Sequence, residues 1–203
     1  MTRGSFVVLE GGDGSGKSTQ AARLASELRA RGIVVRETFE PGATAAGAVM
    51  RELLLHGDAS VSPVAEALLM AADRAQHVAE VVRPALERGE WVVSDRFVPS
   101  SLVYQGVVRD LGVDRVRAIN EPAIDGVIPD VVVVVDVPDD LARSRRGDDP
   151  DRLEAEGDAF HAAVAAAYRS LAVDEGWVLV DGTGDVDAVA ARVLTVVESY
   201  LAG

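Results

Sequence analysis

The sequence of 203 residues contains no cysteine, few aromatic residues and no long hydrophobic run. The absence of cysteine excludes disulfides and cysteine-based metal sites. Aromatic residues make up 4% of the chain and apolar residues 48%, so the core must be built from Ala, Val and Leu. Such a core is typical of helices packed on a buried parallel sheet, and the length fits a single domain, 1–203.

Positive charge is also scarce, because 33 acidic residues outnumber 20 basic ones and the net charge is −13. A uniformly acidic protein binds polyanions poorly, so nucleic acid polymers and anionic membranes are not expected as partners. A small phosphorylated ligand remains compatible with this negative net charge, since a few local cations can outweigh the global charge. No apolar segment approaches the ~20 residues of a transmembrane helix, and the run 6–9 is too short for a signal peptide. We therefore expect a cytoplasmic protein.

Short apolar runs alternate with helical patterns along the chain. Strands separated by helices imply right-handed crossovers and a parallel sheet. The polar segment 143–158, with interspersed acids and bases, is expected to be a mobile surface segment. The periodicity predicts strands at 6–9, 33–36, 91–94, 131–137 and 177–180, and helices at 17–31, 45–55, 63–87 with a boundary or kink near Pro84, and 186–201.

A glycine-rich turn, GGDGSGKS, follows the first predicted strand and fits the pattern G-x-x-x-x-G-K-[ST]. Glycines let backbone N–H groups surround phosphate oxygens, and the following helix adds the positive end of its dipole. Lys17 is expected to reach the β- and γ-phosphates of ATP, and the Ser18 hydroxyl to coordinate Mg²⁺. These features predict an α/β fold of the P-loop NTPase type, a five-stranded parallel sheet flanked by helices with a small lid segment. The predicted ATP-binding residues are Gly11, Gly12, Asp13, Gly14, Ser15, Gly16, Lys17, Ser18 and Thr19.

An acid and a base end the third predicted strand, in the sequence VVSDRF. Because strand carboxyl ends face the ligand crevice in a parallel sheet, Asp95 is placed to hold the Mg²⁺ shell and Arg96 to bind a phosphate. The alternative is a surface ion pair at a strand end. A P-loop on a neighbouring strand favours the functional interpretation.

Two further polar groups allow alternative interpretations. Arg74 lies among small apolar residues of a helical run, and a buried unpaired charge is costly. It either pairs with Asp73 or another acid on the helix surface, or points into an acceptor site. Ser100 and Ser101 either line a polar pocket or cap a helix.

The order of these motifs resembles that of thymidylate kinases. The glycine-rich turn occurs in many NTPases, whereas Asp-Arg-aromatic followed by Ser and Tyr-Gln-Gly is far more specific. The resemblance implies an enzyme that phosphorylates thymidine 5′-monophosphate with ATP and Mg²⁺ and forms a homodimer. The segments that carry the resemblance are 11–18, Glu40-Pro41-Gly42-Ala43-Thr44, Ala72-Asp73-Arg74, Asp95-Arg96-Phe97, Tyr104-Gln105-Gly106 and Asp151-Arg152-Leu153-Glu154.

The resemblance also implies roles in acceptor binding. Asp13 would orient the acceptor phosphate or the metal shell, and Arg96 would hold the 5′-phosphate and bridge to the transferred group. Arg74 would bind the thymine carbonyl, Ser101 the base edge, and Tyr104 would pack under the deoxyribose. Glu154 would approach the 3′-hydroxyl. The implied acceptor-binding set is Asp13, Glu40, Pro41, Met70, Arg74, Arg96, Ser100, Ser101, Tyr104, Gln105 and Glu154.

Segment 143–158 is implied to close as a lid over ATP, and the loop 182–187 to border the adenine. The P-loop has no arginine, so the resemblance is to the branch of the family that supplies its catalytic arginine from the lid. The candidates for that arginine, Arg145, Arg146 and Arg152, are not ranked by the sequence. They join Lys17, Arg96 and Asp13 as the catalytic set.

Two positions depart from the common family pattern. Phe39 stands where an arginine usually precedes Glu-Pro-Gly, which removes a cation near the acceptor phosphate. Met70 stands where an aromatic ring usually stacks on thymine; a thioether can cover a ring face but lacks aromatic stacking geometry. Both changes lie on the acceptor side, so two alternatives stay open. One is a kinase for another deoxynucleotide or a nucleoside, and the other is a P-loop nucleotide-binding switch without acceptor chemistry.

Overall fold

The computed structural model describes residues 3–57, 60–146 and 156–201, and places all five strands in one parallel sheet. The strand order is β2-β3-β1-β4-β5. This arrangement confirms the predicted α/β fold of the P-loop NTPase type. The strands are β1 Phe6–Glu10, β2 Val35–Phe39, β3 Trp91–Asp95, β4 Val131–Asp136 and β5 Val178–Asp181.

Helices cover both faces of the sheet. Their bounds are α1 Lys17–Ala30, α2 Ala45–Arg51, α3 Pro63–His77, α4 Arg83–Glu87, α5 Val98–Ser101, α6 Val113–Ile124, α7 Asp139–Arg145, α8 Asp158–Glu175 and α9 Val186–Leu201. Wider π-helical turns extend three of them, at Glu52–His56, Val78–Val82 and Leu102–Val108. The chain is therefore helical from Pro63 to Glu87. The π-helical turn Val78–Val82 lies just before Pro84, whose ring lacks the N–H that a regular ladder needs.

Successive side chains of the central strands point to opposite faces of the sheet and so fill two apolar layers. On one face, Leu9 and Val133 pack with residues of α1 and α9 such as Leu24 and Val193. On the other face, Phe6 and Val8 pack against the helical run from Val78 to Leu86. Because both faces are covered, β1 is apolar up to its last residue, Glu10, and β4 up to Asp136, as the valine-rich sequence predicts. In the described ranges, no helix combines the length and the apolar character that crossing a membrane requires.

The structure corrects the predicted second strand. The apolar residues at 33–36 suggested a strand there, but the N–H of Ile33 bonds the carbonyl of Leu28 and so closes the end of α1. Pairing with β3 then sets the register, with Val35 opposite Trp91 and Phe39 opposite Asp95. The strand consequently ends three residues later than predicted, directly before Glu40.

The helical content between β3 and β5 exceeds what the periodicity predicted. Helices α6 and α8 were not predicted. Both pack on the π-helical turn Leu102–Val108. The polar segment 143–158 was expected to be a mobile surface segment. Its first residues, 143–145, belong to α7, and Asp158 begins α8. Residues 147–155 lie outside the described part of the chain.

Candidate active site

The glycine-rich turn joins β1 to α1, as its sequence predicts. Gly14 and Gly16 have positive φ angles of 83° and 92°. A Cβ atom on Gly14 would lie 2.1 Å from the carbonyl oxygen of Ala142, so only glycine fits this close approach. The turn therefore places backbone N–H groups and the N-terminus of α1 around an open space suited to phosphate.

An ion cluster forms between this turn and the end of β3. Asp13 Oδ1 lies 2.5 Å from Arg96 Nη2 and 3.5 Å from Lys17 Nζ. Lys17 is the only lysine in the sequence. Because β1 and β3 are hydrogen-bonded neighbours, the turn after one strand and the arginine after the other meet at the same sheet edge.

The carboxyl group of Asp13 is held in its ionised form. Burial alone would raise its pKa, but the charges of Arg96 and Lys17, with a hydrogen bond from the Tyr104 hydroxyl, lower that pKa to about 2. The Tyr104 hydroxyl donates to Asp13 Oδ2 at 3.1 Å. Asp13 is therefore a permanent anion that orients two cations before any ligand arrives.

Arg96 is fixed from several sides. Its backbone has a positive φ of 76°, uncommon for a residue with a side chain. Its guanidinium donates to Ser100 Oγ at 3.0 Å and lies 5.2 Å from the centre of the Tyr104 ring. Serine 100 was predicted either to line a pocket or to cap a helix, and here its side chain holds Arg96.

Glu10 is a functional residue that the sequence analysis missed. It ends β1, is fully buried, and accepts hydrogen bonds from the Phe97 N–H, the Ser100 side chain and the Tyr168 hydroxyl. Burial raises the pKa of Glu10, against the opposing charge of Arg96. An acid at the carboxyl end of a strand beside the P-loop was the available signal, but its partners come from segments far along the chain. Glu10 therefore fixes the segment that carries Arg96 and Ser100.

A cavity of about 310 Å³ opens beside the ion cluster. It brings together most of the predicted acceptor-side residues, and it includes Phe39 and Met70, the two departures from the family pattern. Arg51 and Leu55 also line it and were not predicted. The lining residues used below are Asp13, Lys17, Ser18, Phe39, Glu40, Pro41, Arg51, Met70, Asp73, Arg74, Asp95, Arg96, Ser100, Ser101, Tyr104 and Gln105.

Arg74 is buried, with 2% of its surface exposed, and it does not pair with Asp73 on a helix surface. Every nitrogen of its guanidinium has an acceptor in the protein: Nε and Nη2 contact Glu40, and the other bonds reach Ser101, Asn120 and the carbonyl of Phe97. Glu40 also accepts from His77 at 2.8 Å. Arg74 and Glu40 together form the floor of the cavity.

Ser18 and Asp95 were predicted as metal ligands, and both line this cavity. Asp95 Oδ1 is buried without a hydrogen-bond partner, which is costly unless a ligand supplies one. A carboxylate oxygen and a hydroxyl are the hard donors that Mg²⁺ prefers. The residues present therefore fit a magnesium ion bound between them.

The ATP side of the turn forms a second cavity, of about 430 Å³. Gly14 to Gln20 line it together with Arg145 and the loop after β5, at Gly182 and Gly184. Arg145 Nη1 lies 3.5 Å from the carbonyl oxygen of Ser15 and 3.4 Å from that of Gly182. Arg146 instead pairs with Asp158 at 3.3 Å. Of the described lid candidates, Arg145 is the one that touches the P-loop.

Two predicted site residues, Arg152 and Glu154, lie outside the described residues, so their roles stay predictions.

Arg51 lines the acceptor cavity but was not predicted as a site residue. Its Nη1 donates to the Pro41 carbonyl at 2.8 Å, and its guanidinium lies 6.0 Å from the centre of the Phe39 ring. It thereby brings a cation into the cavity near the position where the family pattern has an arginine and this chain has Phe39. No local pattern distinguishes it from a surface arginine on a helix.

The sequence profile of the thymidylate kinase family matches residues 9–193. The chain belongs to the thymidylate kinase family. It is 49% identical to a thymidylate kinase of Leifsonia xyli subsp. xyli over 94% of this chain and 92% of that protein. It is 43% identical to a thymidylate kinase of Caldanaerobacter subterraneus subsp. tengcongensis over 99% of this chain and 98% of that protein. A thymidylate kinase of Bifidobacterium longum is 43% identical over 94% of this chain and 95% of its own length.

Membership of the thymidylate kinase family confirms the resemblance inferred from the motifs. The match extends over both cavities, since residues 9–193 include the glycine-rich turn, the end of β3 and the loop after β5. Phe39 and Met70 are therefore substitutions within the acceptor cavity of a family member.

Proposed function

We propose that this thymidylate kinase family member transfers the γ-phosphoryl group of ATP to thymidine 5′-monophosphate, giving the diphosphate. The observation that carries the proposal is the Asp13–Arg96–Lys17 cluster between a phosphate-binding turn and a polar acceptor cavity. A nucleotide-binding switch has no need of such a cavity, and the relatives that cover the whole chain are thymidylate kinases.

The cluster explains how phosphoryl transfer would be assisted. The reaction requires two phosphate groups in line and positive charge around the moving group. Lys17 binds the donor phosphates, and Arg96 binds the acceptor phosphate while both cations remain oriented by Asp13. The nucleophile is a phosphate oxygen that is already anionic, so no general base is needed. Arg145, on the ATP side of the turn, is the described lid arginine best placed to contact the donor.

Ser18 and Asp95 would hold the magnesium ion. When bound, the ion would neutralise charge on the donor phosphates. The buried Asp95 Oδ1 would then gain the partner that it lacks among the described residues. On this basis we expect activity to be lost when the metal is chelated and to return when Mg²⁺ is restored.

The cavity also supports a pyrimidine deoxynucleotide as the acceptor. Arg74, Ser101 and Gln105 line it and are each 2% exposed, so they would lie around the base edge. Arg96, paired with Asp13 of the P-loop, would hold the acceptor phosphate. The Tyr104 ring lies under Arg96, where it would pack against a deoxyribose. Met70 contributes a thioether to cover the base face, and Arg51 supplies a cation in place of the missing arginine at position 39.

A coupled ADP-release assay with ATP, Mg²⁺ and a panel of nucleoside monophosphates tests the proposal. We expect thymidine monophosphate to give the highest kcat/KM, because the cavity carries polar groups for a pyrimidine edge. The same assay with a chelator and with Mg²⁺ added back tests the metal. ATP hydrolysis that no monophosphate stimulates would identify a switch, and a different preferred acceptor would identify another nucleotide kinase.

We further propose a homodimer, for which exposed apolar residues on neighbouring helices provide a surface. Val49 on α2 is 71% exposed, Leu53 follows it at 40%, and Leu68 on α3 is 53% exposed. Exposed apolar side chains that lie together favour a protein interface. Light scattering should give twice the chain mass of 21.3 kDa, and Leu68→Asp should reduce it; a monomeric wild-type protein would contradict the proposal. The cytoplasmic location also stays a prediction.

A further inference from the structure

Gln105 lies at the buried end of the acceptor cavity, with 2% of its surface exposed. Its side-chain amide has two chemically different ends, a carbonyl oxygen that accepts and an NH₂ group that donates. Which end faces a bound base decides which base edge fits. The surroundings of Gln105 therefore determine what this part of the cavity can recognise.

The neighbour that decides the orientation is Glu66, from the first turn of α3. Glu66 is 1% exposed, and its Oε1 accepts from Gln105 Nε2 at 2.9 Å. A carboxylate only accepts hydrogen bonds, so it requires the NH₂ end of the amide. The assignment of nitrogen and oxygen in Gln105 thus follows from the chemistry of Glu66.

Arg109 supplies the positive charge that a buried carboxylate needs. Its Nε lies 3.5 Å from Glu66 Oε1. The guanidinium is held by two further contacts, a 2.6 Å bond to Glu156 and a position 5.4 Å from the centre of the Phe160 ring. Arg109 and Gln105 therefore both contact the same carboxylate oxygen, Glu66 Oε1.

We infer that Glu66 and Arg109 are positioning residues for base selection. By binding the NH₂ end of Gln105, Glu66 leaves the amide oxygen for the acceptor cavity. That oxygen accepts from a ring N–H, as in thymine and uracil, and opposes the ring-nitrogen lone pair of cytosine. The inference deepens the proposed function, on which it rests, by assigning acceptor selectivity to two residues behind the cavity wall.

The magnitude follows from the cost of an unmade hydrogen bond. A site built to bond one edge rejects a ligand that leaves its buried polar group unpaired, and a single such group gives a preference on the order of 10-fold to 100-fold. Comparing deoxyuridine and deoxycytidine monophosphates removes the 5-methyl group as a variable, because both lack it, and the change in their ratio between wild type and variant reports the orientation of the amide. The wild-type protein should prefer the uridine nucleotide by that factor in kcat/KM.

Glu66→Met should release the amide. Methionine removes the oxygen that Arg109 and Gln105 share. The NH₂ group of Gln105 then loses its acceptor at position 66, and either end of the amide can face the cavity. We expect the uridine-to-cytidine ratio to fall by about 10-fold or more, through KM for the acceptor, with KM for ATP unchanged.

Glu80→Met is the matched control. Glu80 also accepts from a glutamine, Gln76, but this pair is exposed on the protein surface. The control should keep the wild-type uridine-to-cytidine ratio. A wild-type ratio in Glu66→Met would overturn the inference, because a purely structural Glu66 would lower activity with both acceptors equally.

Should Glu66→Met fail to fold, Glu66→Gln and the wild-type protein keep the inference testable. Glu66→Gln retains a side-chain oxygen for Arg109 and Gln105, so it should keep the wild-type ratio, whereas a loss of the preference in this variant would overturn the inference. Equal kcat/KM for the two nucleotides in the wild-type protein would overturn it as well. Wild-type activity with thymidine monophosphate, measured alongside, tests the proposed function separately.

Discussion

Arg96→Ala is expected to lower kcat by on the order of 10²–10³, the usual effect of losing a preorganised donor aimed at transition-state charge. Arg96 lies between Asp13 and Ser100 at the phosphate end of the acceptor cavity. Alanine leaves that end with Lys17 as the nearest cation of the cluster. Steady-state ADP release with thymidine monophosphate measures the loss, and KM for the acceptor should rise as well.

Arg83→Ala provides the control for a lost surface arginine. Arg83 pairs with the exposed Asp125, remote from both cavities, and an exposed pair contributes only about 0–1 kcal/mol. Its turnover should equal that of the wild-type protein. If Arg96→Ala also turned over at the wild-type rate, Arg96 would have no part in the reaction and the kinase proposal would fail.

Arg74→Met is expected to reduce the free energy of unfolding by about 3–5 kcal/mol, the usual cost of removing one partner of a buried ion pair. Glu40 would remain buried without its guanidinium partner, and Ser101, Asn120 and the Phe97 carbonyl would lose a donor. Urea unfolding followed by circular dichroism measures the change. Thymidine monophosphate should also bind less tightly, because the cavity floor is lost.

Arg117→Met is the matched control for the loss of an arginine that forms an ion pair. Arg117 binds Glu175 with its side chain 47% exposed, so its removal should cost no more than about 1 kcal/mol. An equal effect of the two substitutions would mean that the Arg74 network does not stabilise the fold.

Local sequence patterns were sufficient for the strand–turn–helix unit around the P-loop. The signals for this unit all lie within residues 6–30: an apolar strand, the glycines of the turn and an amphipathic helix. The order of motifs also indicated the family, because residues such as Asp95, Arg96 and Gln105 have fixed positions within short segments. The second strand was misplaced since its register depends on pairing with β3, which is far along the chain.

The sequence by itself determined the phosphate-binding turn, the α/β class and the residues that belong to the family pattern, because each depends on neighbours within about one element. Only the tertiary structure decided that Glu10 holds the Arg96 segment, that Arg51 enters the acceptor cavity beside Phe39, and that Glu66 orients Gln105. These residues act through partners between 10 and 158 positions away in the chain. Hydrogen bonds and ion pairs at such separations follow from how helices pack on the sheet, and no local pattern records them.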